Sequence, residues 1–223
     1  MKIKSWKDVN VSQWQDLTKL YTEEGNTNLD LIVKSLCILM NKTEHEVDSF
    51  SMSQINDYAK QISFTHEEVM PVAQRFIDVN GRRYRCIYDV RRMPAARYIE
   101  TKVFTGMASV NEQLHKIAAC MVVPQKKVFG CLWYVDDVYD ASKHSEYADD
   151  LLSASITDVL GSVIFFCNVY INSMWNLKTY LVMEALKNRK MTPMQAEEVV
   201  NNLCKGLDGI ISPSWLVDTR TSS

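Results

Sequence analysis

Glycine and proline are scarce in this sequence, 7 and 5 of 223 residues, each under half the usual share. That scarcity argues against a many-stranded sandwich, whose frequent turns need both, and predicts long uninterrupted helices. Long apolar runs are missing too. The longest, VLGSVIFFCNVYI from Val159 to Ile171, is too short to span a bilayer and carries Asn168. It predicts a buried helix and no membrane partner. Nor is there an excess of one charge. The formal net charge of −2 gives no overall pull toward a polyanion, so nucleic acid is not the expected partner. The opening MKIKSWKDVN has basic residues without an apolar segment behind them, and the expected location is cytoplasmic.

Catalytic signatures are equally sparse. There are four histidines, no glycine-rich phosphate loop, no nucleophile elbow and no Cys/His/Asn set in a familiar local context. The six cysteines (Cys37, Cys86, Cys120, Cys131, Cys167, Cys204) form no CxxC pair and no zinc-like spacing. Five sit in apolar contexts such as SLCILM and IAACMVV, where a free thiol serves as a small hydrophobe. EQLH, from Glu112 to His115, is half of the Glu-x-x-His pattern of two-metal helical bundles, and no second copy exists. The stretch YVDDVYDASKHSEYADD offers Asp136, Asp137, Asp140, His144, Glu146, Asp149 and Asp150 but lacks the order and the glycine of a calcium loop. A solvated acidic loop entering a helix N-terminus is the expectation. The chain is expected to be no enzyme and to hold no metal and no cofactor.

What is present is helix punctuation. Four capping boxes stand in the first third: Ser12 with Gln15, Thr27 with Asp30, Thr43 with Glu46 and Ser51 with Gln54. Gly25 is placed to end the first helix. Further helices are predicted over MPAARYIETKVF, over SVNEQLHKIAACMVV with Pro124 as its stop, and as one or two long helices from Leu151 to Lys190. A last helix starts at Thr192, with Pro193 at its first position and Gln195 at its third. The segment from Lys126 to Asp150 reads as irregular.

One segment breaks the helical pattern. In FIDVNGRRYRCIYDV, Asn80-Gly81 is a strong signal for a two-residue hairpin turn. The turn sets Asp78 opposite Arg83 and Ile77 opposite Tyr84, so Ile77, Val79, Tyr84, Cys86 and Tyr88 share a face predicted to pack on helices. The fold class is therefore mainly α, a helical bundle with one inserted β-hairpin at about residues 74–89. Residues 1–70 form an N-terminal helical subdomain, and residues 71–223 the hairpin and a C-terminal helical subdomain, in one body. From Arg75 to Lys102 eight basic residues face three acids, and from Tyr134 to Asp150 six acids face one lysine. Opposed patches of this kind suit an internal contact, head-to-tail association of copies, or two separate solvated faces.

The order of these stretches carries a resemblance. SWKDVNVSQWQDLTKLY, a helix pair ending near ISF, FIDVNGRRYRCIYDVRRMPAARYIE, NEQLHKIAACMVVP and SITDVLGSVIFF together resemble the tail assembly chaperones encoded beside the tape-measure gene of many tailed bacteriophages. The likeness runs from Ser5 to Phe166; nothing after Phe166 has a counterpart in it. It implies a helical protein of the infected host cell's cytoplasm that binds the tape-measure protein, keeps it soluble and recruits tail-tube subunits. Related phage proteins stay in the virion as structural or adaptor components, which is the second reading; a metal-dependent enzyme is a distant third. On the first reading Arg82, Arg83, Arg85, Arg91, Arg92 and Arg97 form the surface facing the partner.

Overall fold

Capping chemistry sets out the first third of the chain. A computed structural model describes residues 3–89, 110–128, 132–135 and 140–187, with single positions between 93 and 103 and between 192 and 198. Helices α1 (Val11–Thr22), α2 (Asn28–Met40), α3 (Glu44–Asp48) and α4 (Met52–Gln61) follow one another. The predicted boxes at Thr27/Asp30, Thr43/Glu46 and Ser51/Gln54 are formed, each satisfying two backbone N–H groups that the first turn leaves unpaired. Thr192 and Gln195 make the same reciprocal bonds, at 3.0 and 3.3 Å.

The box predicted for α1 is two residues out. Asn10, not Ser12, is the cap: its side chain accepts from the Gln13 N–H at 2.8 Å, and the Gln13 side chain accepts from the Asn10 N–H at 3.2 Å. The reason is tertiary. Val9 and Val11 are fully buried and clamp the chain to the corner before the helix that starts at Ile156, with Val11 N–H donating to Ala154 O and Ile156 N–H to Val9 O. A helix starting at Ser12 would break that bridge. Gly25 takes φ +93 beyond the end of α1, while α2 ends on Asn41 in the left-handed region, φ +52.

The hairpin is present in the predicted register. Strands β1 (Phe76–Val79) and β2 (Arg82–Cys86) pair Ile77 with Tyr84 and Asp78 with Arg83. Asn80 and Gly81 both have positive φ, +51 and +74, the backbone of a type I′ turn. Ile77, Val79, Tyr84 and Cys86 are buried. The hairpin does not stand alone, however. β3 (Val122–Val128) pairs with β2 and β4 (Leu132–Val135) with β3, all antiparallel, in the order β1-β2-β3-β4. Pro124 lies within β3 rather than after it. It stands opposite Tyr84 of β2, one position before Gln125, where the described pairing with β4 starts.

Three further helices with defined bounds follow: α5 (Val110–Met121), which runs directly into β3, α6 (His144–Leu152) and α7 (Ile156–Lys187); Arg97, Glu100 and Thr101 are helical as well. Leu114, Ile117, Ala118 and Met121 of α5 are buried as its spacing predicts. One core cluster joins α1 and α2, the hairpin face, α5, α6 and α7 as far as Cys167. Helix α7 is a single element of 32 residues, about 48 Å at 1.5 Å per residue. None of the helices, over the described residues, is long and apolar enough to cross a membrane.

A strap crosses the start of α7. Val72 N–H donates to Thr157 O at 3.0 Å, Gln74 N–H to Ser162 Oγ at 3.2 Å, and Gln74 Nε2 to Asp158 Oδ1 at 3.1 Å. It delivers the chain from the N-terminal helices into β1.

Candidate functional site

The basic and acidic segments meet within the chain at one arginine. Arg82 at the hairpin turn donates to Glu146 at 2.5 Å and to Asp150 at 3.1 Å, both on α6. Asp150 also accepts from Tyr84 Oη at 2.6 Å and from Asn80 Nδ2 at 3.1 Å. Tyr84 is fully buried, and its hydroxyl needs this partner. Burial works to raise the Asp150 pKa, but bonds from Tyr84 and Asn80 and the charge of Arg82 together hold it below the ordinary 3.8. The contribution of such a group is present above its unfolded pKa and is lost as pH falls through the folded value. Asp150→Asn is therefore expected to be less stable than wild type at pH 7, with the gap closing below about pH 4, as thermal unfolding at pH 7 and pH 3 would show. A constant gap would mean that Asp150 acts by shape alone.

The six arginines expected to face a partner are not placed alike. Arg83 makes a forked pair with Asp78 across the hairpin, 2.7 and 2.9 Å, with its guanidinium also over the Phe76 ring. Arg85 is half-buried. Arg97 is 3% exposed and donates from Nη1 to Cys120 O at 3.2 Å and Val122 O at 2.5 Å. Arg91 and Arg92 lie outside the described residues. The structure thus brings Arg82 to the acids of α6 and turns Arg97 inward to the junction of α5 and β3.

Around that junction lies a set of donors that spacing does not reveal. Glu100, Cys120 and His144 bring a carboxylate oxygen, a thiol sulfur and a ring nitrogen within 4.8 Å of one another. Cys120 Sγ is 3.4 Å from His144 Nε2, and Nε2 is 3.0 Å from Lys116 O. Burial pushes the Cys120 thiol up to about 12. His115, the histidine of EQLH, is elsewhere: Gln15 Nε2 donates to its Nδ1 at 3.2 Å and to Asn111 O at 2.7 Å. Desolvation lowers the His115 pKa, which agrees with a neutral ring accepting at Nδ1.

A cleft of about 390 Å³ opens between α1, α2 and the turn after α4, within the size range of ligand and side-chain pockets. Leu31, Ile32, Ala59 and Ile62 form apolar walls, and Tyr21, Asn28, Ser63 and His66 supply polar groups. The Tyr21 hydroxyl is held by Ser35 Oγ at 3.2 Å and Thr65 Oγ1 at 3.1 Å, two buried partners that fix one wall. No residue motif in the sequence marks this cleft; it arises from three helices crossing. No protein-family model matches the chain, and neither a curated protein nor a solved structure matches it.

Proposed function

We propose that this protein is a non-enzymatic binding protein of phage morphogenesis, a tail assembly chaperone that takes the apolar stripe of a helical partner into the α1–α2–α4 cleft. The cleft is the observation that carries the reading. It has apolar walls in Leu31, Ile32, Ala59 and Ile62, as side chains laid into a groove require. The phage assignment rests on the resemblance of the motifs between Ser5 and Phe166; on it the occupant is the tape-measure protein, with tail-tube subunits recruited afterwards. Catalysis is the weaker reading. Cys120, His144 and Glu100 have the composition of a thiol nucleophile with its base and orienting acid, but Cys120 is fully buried and its thiol is raised, the opposite of an activated nucleophile.

The test is affinity capture of the tagged protein from cells producing the phage, with mass spectrometry of the captured material and of purified particles. A tape-measure-sized helical protein is expected in the capture, with the bait missing from particles. Ala59→Trp, which fills the cleft, is expected to reduce capture tenfold or more, about 1.4 kcal/mol, with thermal unfolding unchanged. Equal capture by Ala59→Trp would remove the cleft as the docking site. Bait in particles at fixed stoichiometry would make the protein a structural component.

A further inference from the structure

We propose that Glu100, Cys120 and His144 form a binding site for a borderline-soft divalent cation of the zinc class. The three donors come from separate parts of the fold: the helical position Glu100, the last turn of α5, and the first residue of α6. Carboxylate, thiolate and imidazole are the donor types that zinc takes, with Zn–S about 2.3 Å and Zn–N or Zn–O about 2.0–2.2 Å. Two ligands sharing a tetrahedral zinc are therefore roughly 3.3–3.6 Å apart. Cys120 Sγ and His144 Nε2 already stand 3.4 Å apart. The outer limit for the set is 4.8 Å, so a carboxylate shift of about an ångström closes it around the ion. Hard cations such as calcium or magnesium are disfavoured by the thiolate and the imidazole.

The surroundings hold this geometry. Arg97 grips the carbonyls of Cys120 and Val122 on either side of the helix-to-strand junction. Thr101 Oγ1 donates to Arg97 O at 2.8 Å, one turn back along the helix that presents Glu100. Cys120 is fully buried, whereas Glu100 and His144 are half-buried, which gives the ion an approach from the side of the two outer ligands. On binding, the Cys120 thiol proton leaves to solvent and the sulfur donates its electron pair to the metal. The imidazole binds through Nε2 with its proton on Nδ1, giving up the contact to Lys116 O. Water or that carbonyl fills the fourth position. The site does not depend on the chaperone reading: its ligands line none of the cleft.

The test is titration of chelator-treated full-length protein with Co²⁺, a spectroscopic stand-in for zinc, followed by competition with Zn²⁺. One Co²⁺ per chain with a near-ultraviolet thiolate-to-metal band, displaced by one Zn²⁺, is expected. Cys120→Ala should abolish the band, and His144→Ala should weaken binding by more than the roughly 10–100-fold that loss of an outer partner costs. Glu100→Gln, nearer the surface, should weaken it while leaving the band in place. Circular dichroism in chelator establishes that each variant is folded before titration. Absence of the band in folded wild type, or its survival in folded Cys120→Ala, would overturn the site.

Discussion

Gly161→Ala is expected to destabilise the protein by at least about 2 kcal/mol, despite a change that favours a helix in isolation. Alanine in place of a helical glycine gains about 0.5–1 kcal/mol. Here the added Cβ would stand 2.3 Å from the backbone C and N of Val72 and 2.5 Å from its O. Those atoms belong to the strap pinned to α7 by the Val72 and Gln74 bonds, so no flexible side-chain end can move aside. Either the strap lifts and its bonds break, or α7 shifts in the core. Overpacking of this kind costs about 1–3 kcal/mol and sometimes more, and the lost bonds add to it. Gly81→Ala separates space from backbone strain. Nothing lies within 4 Å of its Cβ, but its φ is +74, a strain of about 1–2 kcal/mol. Urea unfolding of both variants should rank Gly161→Ala as the more damaging; a Gly161→Ala protein as stable as wild type would show that the strap carries little of the fold.

The contrast between those glycines shows where sequence is legible. Gly81 follows Asn80 in a dipeptide whose local backbone requirement can be read directly, and the register of β1 on β2 comes with it. Gly161 needs space because Val72 crosses it, a contact spanning 89 positions that leaves no local sign. The strands β3 and β4 were hidden for a related reason. Val122 follows α5 without any turn residue, and Pro124 looks like a stop until the register sets it opposite Tyr84 of β2. Capping boxes were readable where nothing distant competed, at Thr27, Thr43 and Ser51. At Ser12 a bridge to Ser155 moved the start of α1 back to Asn10.

The charges follow the same division. Opposed patches at 75–102 and 134–150 were visible as composition, and three arrangements suited them equally. Only the placement of α6 beside the hairpin turn decides for an internal contact at Arg82. Glu100, Cys120 and His144 could not be assembled from spacing, because the separations between them obey no ligand motif and depend on α5 passing straight into a strand. The cleft is equally silent in sequence: its walls are ordinary core-type residues left uncovered by the crossing of α1, α2 and α4.

Arg97→Met is the second large effect, and it distinguishes an arginine that holds the fold from one that decorates it. The last carbonyls of a helix have no partner within it, and the C-terminal end favours positive charge. α5 ends at Met121 and becomes a strand at once, so no cap residue intervenes. The buried guanidinium of Arg97 takes that part, bonding Cys120 O and Val122 O. Hydrogen bonds to charged groups contribute about 1.5–3 kcal/mol each, so methionine, similar in reach but without donors, should cost about 3 kcal/mol or more. Lysine should recover only part, because one ammonium cannot reproduce the planar fork. Arg83→Met serves as the comparison. Its forked pair with Asp78 is partly solvated, the two side chains being 32% and 60% exposed, and such pairs contribute at most about 1 kcal/mol. Denaturant unfolding should therefore separate Arg97→Met from Arg83→Met by 2 kcal/mol or more, on the order of a thirtyfold change in the folding equilibrium. Equal stabilities would show that other groups satisfy the junction carbonyls.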